Sequence, residues 1–387
     1  MSKPSVIIIG AGYTGVATAH DLALRGFDVT VIERGPIASG TSGRTHGLLH
    51  SGGRYCVKDQ EAAIECIEEN VILRRIVPQV FEPDDGLFVA LDESDLEYSD
   101  TWIASMEASN IPYKQITPKQ ALELEPYLNP ELKSAYLIPD GTFDPLRLAL
   151  AFAATAKSNS AKFRLFTEVT ELLIDNNRRI TGVKLWDRAA DQKSELQADI
   201  VVSATGAWAG HIAEMAGAKV PIHPTPGVMV AYDKRFVNRA INRLCVPSDG
   251  DIVLPQRRMV VVGTTSFDVE DVDYIPVVED QIELMLERGS ELVPGIRHAN
   301  MRGAYMATRP LIGAGITGRS ISRTFKCFDH RESDNIDGFV TITGGKATTL
   351  RAMAEKTADM VCQKLGIEAE CTTENVPLIS YRQFYAL

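Results

Sequence analysis

Continuous apolar runs followed closely by glycine recur at three distant places in the chain. Val6 to Ile9 is one such run, and Asp199 to Ala204 and Gly338 to Thr343 repeat the pattern. Runs without polar alternation are typical of strands that are buried on both faces of a parallel sheet. The pattern therefore predicts one sheet to which the chain returns from three separate segments.

The first run begins a strand-helix-strand unit. A helix of small residues is predicted to start within Gly10 to Gly15 and to end near Leu24, and Asp28 to Glu33 is predicted as the second strand. Two parallel strands joined by a helix form the βαβ unit of doubly wound folds.

The middle of the chain has a different pattern. Pro221 to Asp233 and Arg258 to Phe267 have the shorter β-branched runs of an antiparallel sheet, and Glu279 to Leu292 has a helical period. No repeat and no Pro/Gly/Ser-rich linker divides the chain into consecutive domains. We therefore predict an α/β fold in which a Rossmann-like domain is interrupted by an inserted α+β domain that covers its cofactor.

The expected boundaries follow from this interleaving. The first domain is predicted over residues 1–78, 142–215 and 306–376, the inserted domain over residues 79–141 and 216–305, and a C-terminal tail over residues 377–387.

Composition narrows the class of protein. The 387 residues are 45% hydrophobic and 24% charged, which is ordinary for a globular chain and excludes a disordered or fibrous one. Forty Lys and Arg against 51 Asp and Glu give a net charge of −11, so neither nucleic acid nor an anionic membrane surface is expected as a partner. An anionic ligand would have to be held by a local group of cations.

Cysteine spacing and hydropathy bear on the location of the protein. The six cysteines lie far apart without a Cys-x-x-Cys pair, so neither a metal site nor a disulfide framework is predicted. The most apolar stretch, Leu148 to Ala156, is too short for a transmembrane segment, and no cationic signal region precedes the first strand. We expect a cytoplasmic protein that reaches the inner face of the cell membrane only through a partner.

Gly10-Ala11-Gly12-Tyr13-Thr14-Gly15 is a Gly-x-Gly-x-x-Gly sequence between the first strand and its helix. The three glycines of such a motif allow a tight turn, a close approach of pyrophosphate and helix-strand packing, and the helix N-terminus faces the phosphates. Glu33 ends the next strand, where a carboxylate can accept from a ribose hydroxyl. Together these features predict a dinucleotide site rather than a turn needed only for packing.

A second glycine turn favours FAD over NAD. Gly344-Gly345-Lys346 follows the strand that ends at Thr343 and precedes a helical run from Thr348 to Lys364, so amides and a helix N-terminus point at one place. Negative charge on N1 and the C2 oxygen of a reduced flavin would be stabilised there. A Gly-Gly turn that only begins a helix is the alternative. Ala204-Thr205-Gly206-Ala207-Trp208 is similar to the second FAD-contacting turn of flavoproteins.

The loop from Gly40 to Tyr55 is the most unusual stretch of the chain. It combines five glycines with Arg44, His46, His50 and Arg54, and its glycines make a regular helix costly. Polar groups at this density favour packing of the loop against a ligand, and a solvated loop with incidental His and Arg is the alternative.

Five ordered motifs resemble those of one enzyme family. They are the loop from Gly40 to Tyr55, Pro139-Asp140-Gly141-Thr142-Phe143-Asp144-Pro145, Val262-Gly263-Thr264-Thr265, Thr308-Arg309-Pro310-Leu311 and Thr343-Gly344-Gly345-Lys346. Up to about Pro377 the chain resembles the FAD-dependent glycerol-3-phosphate dehydrogenases, above all the catalytic A subunits of the anaerobic bacterial enzyme. The resemblance implies non-covalent FAD in an interrupted domain of the glutathione-reductase or D-amino-acid-oxidase type, and a substrate under the antiparallel sheet.

The resemblance and the glycine motifs together assign a set of cofactor-binding residues from seven segments of the chain. This set is Gly10, Gly12, Tyr13, Thr14, Gly15, Glu33, Arg34, Thr41, Ser42, Arg44, Thr45, His46, Gly47, Leu49, Val169, Ala204, Thr205, Gly206, Trp208, Arg309, Gly344, Gly345, Lys346, Ala347 and Thr348.

A smaller set is implied for the substrate. It consists of Arg54, Tyr55, Thr265, Arg309, Arg323 and Lys346, with Arg323 and Lys346 around the phosphate. A phosphate dianion needs several cationic donors, preferably forked ones, which fits these residue types. Ordinary surface ion pairs are the alternative for each arginine taken alone.

The implied reaction is hydride transfer from C2 of sn-glycerol 3-phosphate to flavin N5, with loss of the hydroxyl proton, giving dihydroxyacetone phosphate. His50, Arg309 and Lys346 form the predicted catalytic set. His50 is the first candidate for the base because imidazole titrates near neutral pH, and Tyr55 and Lys346 are the alternatives. A histidine that only packs beside the flavin is the other interpretation. Aerobic relatives have a Gly-Ser-His-type element where this chain has Gly227-Val228-Met229, which leaves the base open.

The electron acceptor is also implied by resemblance. In the anaerobic enzyme, electrons pass to companion subunits and then to membrane quinone. The A subunits continue into a cysteine-rich domain for an iron-sulphur cluster, whereas this sequence stops at Leu387 with Cys371 isolated. Whether the sequence is part of a longer protein or a stand-alone relative is left open.

Two other functions are compatible with the sequence. A flavin dehydrogenase or oxidase of the same superfamily, acting on an amine or on a 2-hydroxy acid such as 2-hydroxyglutarate, would use the arginines for a carboxylate. A non-catalytic flavin-binding subunit would serve assembly or electron relay. The combination of Arg54, Arg309 and Lys346 favours catalysis.

Overall fold

A computed structural model describes residues 3–269, 271–276, 278–313 and 322–387. The strands in these ranges are β1 Ser5–Ile9, β2 Asp28–Ile32, β3 Leu48–Leu49, β4 Gly86–Ala90, β5 Lys114–Ile116, β6 Ser134–Ile138, β7 Gly141–Thr142, β8 Lys162–Arg164, β9 Thr167–Ile174, β10 Ile180–Asp187, β11 Gln192–Gln197, β12 Ile200–Ser203, β13 Ile222–Tyr232, β14 Ile241–Arg243, β15 Ile252–Gln256, β16 Met259–Gly263, β17 Met301–Ile312, β18 Phe325–Asp329 and β19 Phe339–Gly344. The α-helices are α1 Tyr13–Leu24, α2 Gln60–Ile76, α3 Glu93–Ala108, α4 Pro118–Leu124, α5 Pro145–Ser158, α6 Ala209–Glu214, α7 Glu279–Leu292, α8 His330–Asp334 and α9 Leu350–Leu365.

A six-stranded sheet gathers the three apolar runs of the sequence. Its order is β18-β19-β12-β1-β2-β8, and all neighbours are parallel except the edge pair β18 and β19. The predicted strands β1, β12 and β19 are adjacent, with Ile8 opposite Val202 and Val202 opposite Val340. These side chains are fully buried, as expected of strands covered on both faces. The predicted return of the chain to one sheet is confirmed.

Helices α1, α5 and α9 form one layer on this sheet, with α1 between the other two. The small residues of α1, such as Ala17 and Ala19, allow this close packing. The apolar stretch from Leu148 to Ala156 is the buried core of α5, so its hydrophobicity on all sides reflects a helix surrounded by protein. None of the helices in the described part of the chain is long and apolar enough to cross a membrane.

The second large sheet has eight strands, in the order β17-β13-β16-β15-β14-β4-β6-β5. It is antiparallel, as predicted, except that β4 and β14 are parallel neighbours. Strand β13 pairs with β17 along its whole length, from Ile222 opposite Ile312 to Tyr232 opposite Met301. Helix α7 covers this sheet with the predicted bounds. Strand β16 ends at Gly263 rather than at Phe267, because the following threonines leave the sheet to meet Arg309.

The strands of the two large sheets alternate along the chain. The strands of the eight-stranded sheet lie within residues 86–138 and 222–312. Strands of the six-stranded sheet precede, separate and follow these two ranges. This interleaving is the fold class that the sequence predicts. The individual domain boundaries stay a prediction. The last residues pack on α5, where Lys157 Nζ donates to the Phe384 carbonyl at 3.1 Å.

Candidate functional site

The first glycine turn lies between β1 and α1 and requires its glycines. Gly10 has φ +101°, and a Cβ on it would lie 2.8 Å from the Ala204 carbonyl oxygen. A Cβ on Gly15 would lie 1.9 Å from the Gly10 carbonyl oxygen. Gly12 is the N-cap residue of α1 and has no side chain to accept from the helix amides. Ser42 Oγ accepts from the first of these amides, that of Tyr13, at 2.9 Å. The turn therefore leads closely packed backbone into a helix N-terminus, an arrangement that fits the pyrophosphate of a dinucleotide.

Glu33 ties this turn to the end of β2. Its Oε2 accepts from the Ala11 amide at 2.8 Å, and its Oε1 accepts from the Gly35 amide at 2.8 Å and from Ser39 Oγ at 3.2 Å. A carboxylate has about four acceptor positions. Glu33 can therefore hold the loop and still accept from a ribose hydroxyl.

The glycine-rich loop from Gly40 to Tyr55 contacts both β17 and the segment around β7. Thr41 Oγ1 donates to the Thr308 carbonyl at 2.7 Å, which connects the loop to β17. Gly47 has φ +85°, and a Cβ on it would lie 2.3 Å from the Phe143 carbonyl oxygen. Leu49 in β3 pairs with Gly141 in β7. Three of the five resembling motifs thus meet here.

Other predicted cofactor residues take positions around the same edge of the sheet. Tyr13 donates its hydroxyl to the Pro145 carbonyl at 3.1 Å, and Thr14 Oγ1 lies 3.8 Å from Met353 Sδ. Thr45 Oγ1 donates to the Ser42 carbonyl at 3.5 Å. Val169 is buried in β9, whereas Arg44 is exposed at the end of a 3-10 turn.

Two more turns lie side by side: the second, Ala204 to Trp208, follows β12, and the third, Gly344 to Lys346, follows β19. Thr343 Oγ1 donates to the Gly206 carbonyl at 3.2 Å. The amides of Gly345 and Lys346, predicted to face the flavin, donate at 3.1 Å to the Thr324 carbonyl and to Thr349 Oγ1 respectively. The next helical turn begins at Ala347, so the open amides at this end belong to residues 347 and 348.

His50 and Tyr55 form the centre of the predicted substrate site. Tyr55 Oη lies 3.2 Å from His50 Nε2, and the two ring centroids are 5.0 Å apart. Thr348 Oγ1 accepts from the His50 amide at 3.0 Å, which fixes this pair against the third turn. The His46 ring centroid is 6.3 Å from that of His50. Lys346 Nζ lies 5.4 Å from the Tyr55 ring centroid.

Two of the predicted cations are paired with carboxylates. Arg54 Nη2 lies 2.8 Å from Asp251 Oδ1, with both side chains buried, and it donates to the Ser248 carbonyl at 3.2 Å. Lys346 Nζ donates to the Arg323 carbonyl at 2.8 Å and lies 3.6 Å from Glu65 Oε2. These contacts orient the cations and reduce, without abolishing, their attraction for an anion.

Arg309 donates to several uncharged oxygens. Its guanidinium donates to the Thr225 and Pro226 carbonyls at 3.4 Å each, to the Thr265 carbonyl at 3.1 Å and to the Thr264 hydroxyl. Thr265 in turn accepts from the Val228 amide through Oγ1 at 2.9 Å. The guanidinium is thereby fixed where the loop after β16 meets β17.

Burial and the charges of the predicted cations change the pKa values of the aromatic groups at this centre. Burial, followed by the charges of Arg309 and Arg54, lowers the pKa of His46 to about 3. The pKa of His50 is lowered by burial and then by His46, Arg54, Lys346 and Arg323. Burial raises the pKa of Tyr55 against the opposing effect of the cations. At neutral pH the site therefore combines neutral imidazoles, a protonated phenol and several positive charges.

Some residues that build this site were not predicted. Asp140, inside a resembling motif, accepts from the Ser51 amide at 2.6 Å and from Asn242 Nδ2 at 3.1 Å, and its burial raises the pKa to about 6. Asp251 orients Arg54, but no motif marks it. Gly227 stands out in the sequence only as a difference from aerobic relatives. The roles of these residues depend on contacts between distant segments, which a single sequence does not reveal.

Comparisons with known proteins agree with the geometry. Residues 5–360 match the family described as FAD dependent oxidoreductase, DAO. The A1 subunit of the anaerobic glycerol-3-phosphate dehydrogenase of Haloferax volcanii is 41% identical over 100% of this chain and 68% of its own length. The corresponding A subunit of the Escherichia coli enzyme is 42% identical over 96% of this chain and 69% of its own.

A solved structure extends the comparison to the cofactor. The glycerol-3-phosphate dehydrogenase of Bacillus halodurans, complexed with FAD, has a TM-score of 0.76 and 26% identity over 97% of this chain and 68% of its own. FAD is accordingly the cofactor of this chain, and the glycine turn before α1 with the Glu33 acceptor fits its adenosine diphosphate half. The chain belongs to the FAD-dependent oxidoreductase family and, within it, to the glycerol-3-phosphate dehydrogenases that include the anaerobic A subunits.

Proposed function

We propose that this protein oxidises sn-glycerol 3-phosphate to dihydroxyacetone phosphate in an FAD-dependent reaction. The observation that carries the proposal is the convergence of cations from distant segments on the His50 and Tyr55 pair. Burial and the charges of Arg54, Lys346 and Arg323 lower the pKa of His50. Burial and the charge of Arg309 lower the pKa of the neighbouring His46. The relatives named as glycerol-3-phosphate dehydrogenases support the same substrate.

The charge of the site favours a phosphate over a carboxylate. A phosphate monoester carries between one and two negative charges near neutral pH and offers three acceptor oxygens. Arg54 and Lys346 keep part of their attraction for an anion beside Asp251 and Glu65, and a phosphate offers them more charge and more acceptor oxygens than a carboxylate does. In a chain of net charge −11, cations brought together from separate segments point to an anionic ligand.

The chain's own residues can also manage the proton. When bound, FAD supplies a hydride acceptor at N5. If Nε2–H of His50 donates to the Tyr55 oxygen, its Nδ1 has a lone pair, and within the described residues Nδ1 has no hydrogen-bond partner. We propose that Nδ1 takes the substrate hydroxyl proton as the C2–H bond gives up its hydride and C2 becomes a carbonyl carbon. Arg309 and Lys346 then position the phosphate end.

Anaerobic stopped-flow spectroscopy tests this function. Glycerol 3-phosphate should bleach the flavin absorbance of the holoenzyme, whereas 2-hydroxyglutarate and amino acids should not. Arg309→Ala should weaken substrate binding and slow flavin reduction. Expressed as free energies, the two losses together should reach several kcal/mol, as seen for buried charged contacts. Arg302→Ala, an exposed arginine on the same strand, is the matched control. Reduction by 2-hydroxyglutarate or an amine alone would refute the assignment.

We further propose that electrons leave through a partner protein or a quinone, and that a partner brings the protein to the inner face of the cell membrane. The naming of the relatives as A subunits supports such an assembly. Copurification of the tagged protein from its native host tests it. The domain boundaries predicted above are proposed to divide the FAD-binding part from the substrate-covering part, which limited proteolysis of the holoenzyme tests.

A further inference from the structure

Three segments outside the substrate site meet at one carboxylate. Asp273 Oδ1 accepts from Arg34 Nη2 and from Trp208 Nε1, each at 2.9 Å. The Arg34 guanidinium carbon also lies 4.6 Å from the centroid of the Trp208 ring. We call Arg34, Trp208 and Asp273 the clasp. A shared acceptor and a cation–π contact make each member support the other two.

The position of the clasp follows from the order of the strands. Arg34 comes directly after the end of β2 and Trp208 comes shortly after β12, while β1 lies between these two strands. A contact between the two side chains therefore passes across the carboxyl end of β1, where the Gly10 turn begins. In open parallel sheets a dinucleotide lies in the crevice at this end. The clasp bridges the two walls of that crevice.

Asp273 is fixed in this position by its own surroundings. Its amide donates to Asp271 Oδ1 at 2.8 Å, which forms a local turn. Trp208 is backed by the glycine-rich loop, since a Cβ on Gly40 would lie 3.2 Å from its ring. Although burial raises the pKa of Asp273, hydrogen bonds from Arg34 and Trp208 outweigh it and keep the pKa below the ordinary value. The carboxylate is therefore charged at neutral pH.

We propose that Asp273 retains FAD by holding Arg34 and Trp208 together across the crevice. Asp273 comes from the segment after β16, which otherwise belongs with the eight-stranded sheet. The clasp thus connects a segment of the eight-stranded sheet to the edge of the six-stranded sheet where FAD binds. FAD can leave only after the two hydrogen bonds to Asp273 have broken.

The expected size of the effect follows from exposure. Arg34 and Asp273 are about half exposed, so their ion pair alone is weak and screened by salt. Loss of the carboxylate also removes the acceptor of the indole N–H and the support of the cation–π contact. We therefore expect Asp273→Ala to release FAD at least five-fold faster. Added salt should accelerate release from the unmodified protein more than from this variant.

The rate of FAD release from the holoenzyme tests this role directly. Diluted protein is mixed with a phosphodiesterase that cleaves free FAD, and the rise in flavin fluorescence gives the rate. Trp208→Phe, which keeps the ring and loses the N–H donor, should also release FAD faster. Asp268→Asn is the matched control, because this carboxylate lies on the same segment but pairs with His223 at 2.8 Å. It should match the unmodified protein within two-fold.

The outcomes separate the clasp from the catalytic proposal. FAD release is measured without substrate, so its result does not depend on the proposed reaction. Release less than five-fold faster in Asp273→Ala, or equal acceleration in Asp268→Asn, would overturn the role of Asp273. If Asp273→Ala does not fold, unchanged release from Trp208→Phe would overturn it. A failure of substrate reduction in the unmodified protein would instead affect only the proposed function.

Discussion

Gly227 leaves the space that the guanidinium of Arg309 occupies. A Cβ on Gly227 would lie 2.7 Å from Arg309 Nη2 and 2.6 Å from the Thr265 carbonyl oxygen. Real Cβ atoms do not approach other atoms so closely, so either the arginine or the strand would have to move. The glycine of the element that differs from aerobic relatives thus sets the position of the main candidate for substrate binding.

Gly227→Ala is expected to displace Arg309 without removing it. We predict that the dissociation constant for glycerol 3-phosphate rises at least ten-fold, about 1.4 kcal/mol, while FAD stays bound. Gly303→Ala is the matched control, because a Cβ there would have nothing within 4 Å. Substrate titration of the flavin spectrum under anaerobic conditions measures both. Equal affinities in the two variants would contradict the placement of Arg309.

The protonation of His50 gives a second prediction. Burial and the nearby cations lower its pKa well below the ordinary 6.5, so the imidazole should be neutral at neutral pH in the substrate-free holoenzyme. Nitrogen NMR of histidine-labelled protein, with the signal assigned by His50→Asn, measures this. A His50 signal that titrates at or above its ordinary pKa would show that the cations do not surround it.

His20 should make stability depend on pH. It is fully buried against Phe152, and burial lowers its pKa from 6.5 to about 4. Neither ring nitrogen has a hydrogen-bond partner in the described part of the chain. Between these pH values the unfolded chain binds a proton that the folded chain does not, so stability falls as the pH drops from 6.5 to 4. Above pH 6.5 this effect disappears.

His20→Leu should therefore gain stability relative to the unmodified protein as the solution is acidified. The expected gain reaches about 3 kcal/mol at pH 4 and is absent above pH 7. Urea unfolding across this range measures the difference. His298→Leu, at an exposed histidine, should show no such trend. A difference that is independent of pH would mean that His20 is not buried in its neutral form.

A buried ion pair between helices α2 and α9 gives a fourth prediction. Arg351 Nε donates to Glu69 at 3.0 Å, and both side chains are more than 90% buried. Glu69→Gln leaves the guanidinium without this carboxylate and should lower the free energy of unfolding by about 3 kcal/mol. Glu68→Gln, at an exposed neighbouring position, should change it little. Chemical unfolding that gives equal values for both variants would contradict the importance of the pair.

The sequence allowed the fold to be predicted where burial leaves a strong pattern. Strands β1, β12 and β19 are mostly apolar because both faces of the sheet are covered, and α7 keeps a helical period because only one face is buried. The end of β16 was misplaced because Thr264 and Thr265 have good strand propensity but contact Arg309 instead.

The site was predictable only in part. Glycines such as Gly10 and Gly344 stand where positive φ angles are needed, so local sequence marks them. The partners of the cations are different. Asp251, Gly227 and Asp273 contact residues from distant parts of the chain, and no local pattern marks such a contact. The positions of the cations followed from family resemblance, and their partners required the fold.

The central claim is that a phosphorylated secondary alcohol is held with its carbinol hydrogen against the flavin. Anaerobic flavin reduction by glycerol 3-phosphate deuterated at C2, compared with the compound deuterated at C1, tests this most directly. We predict that deuterium at C2 slows bleaching several-fold at saturating substrate and that deuterium at C1 has no effect. Equal rates with both compounds, or no bleaching with either, would contradict the claim.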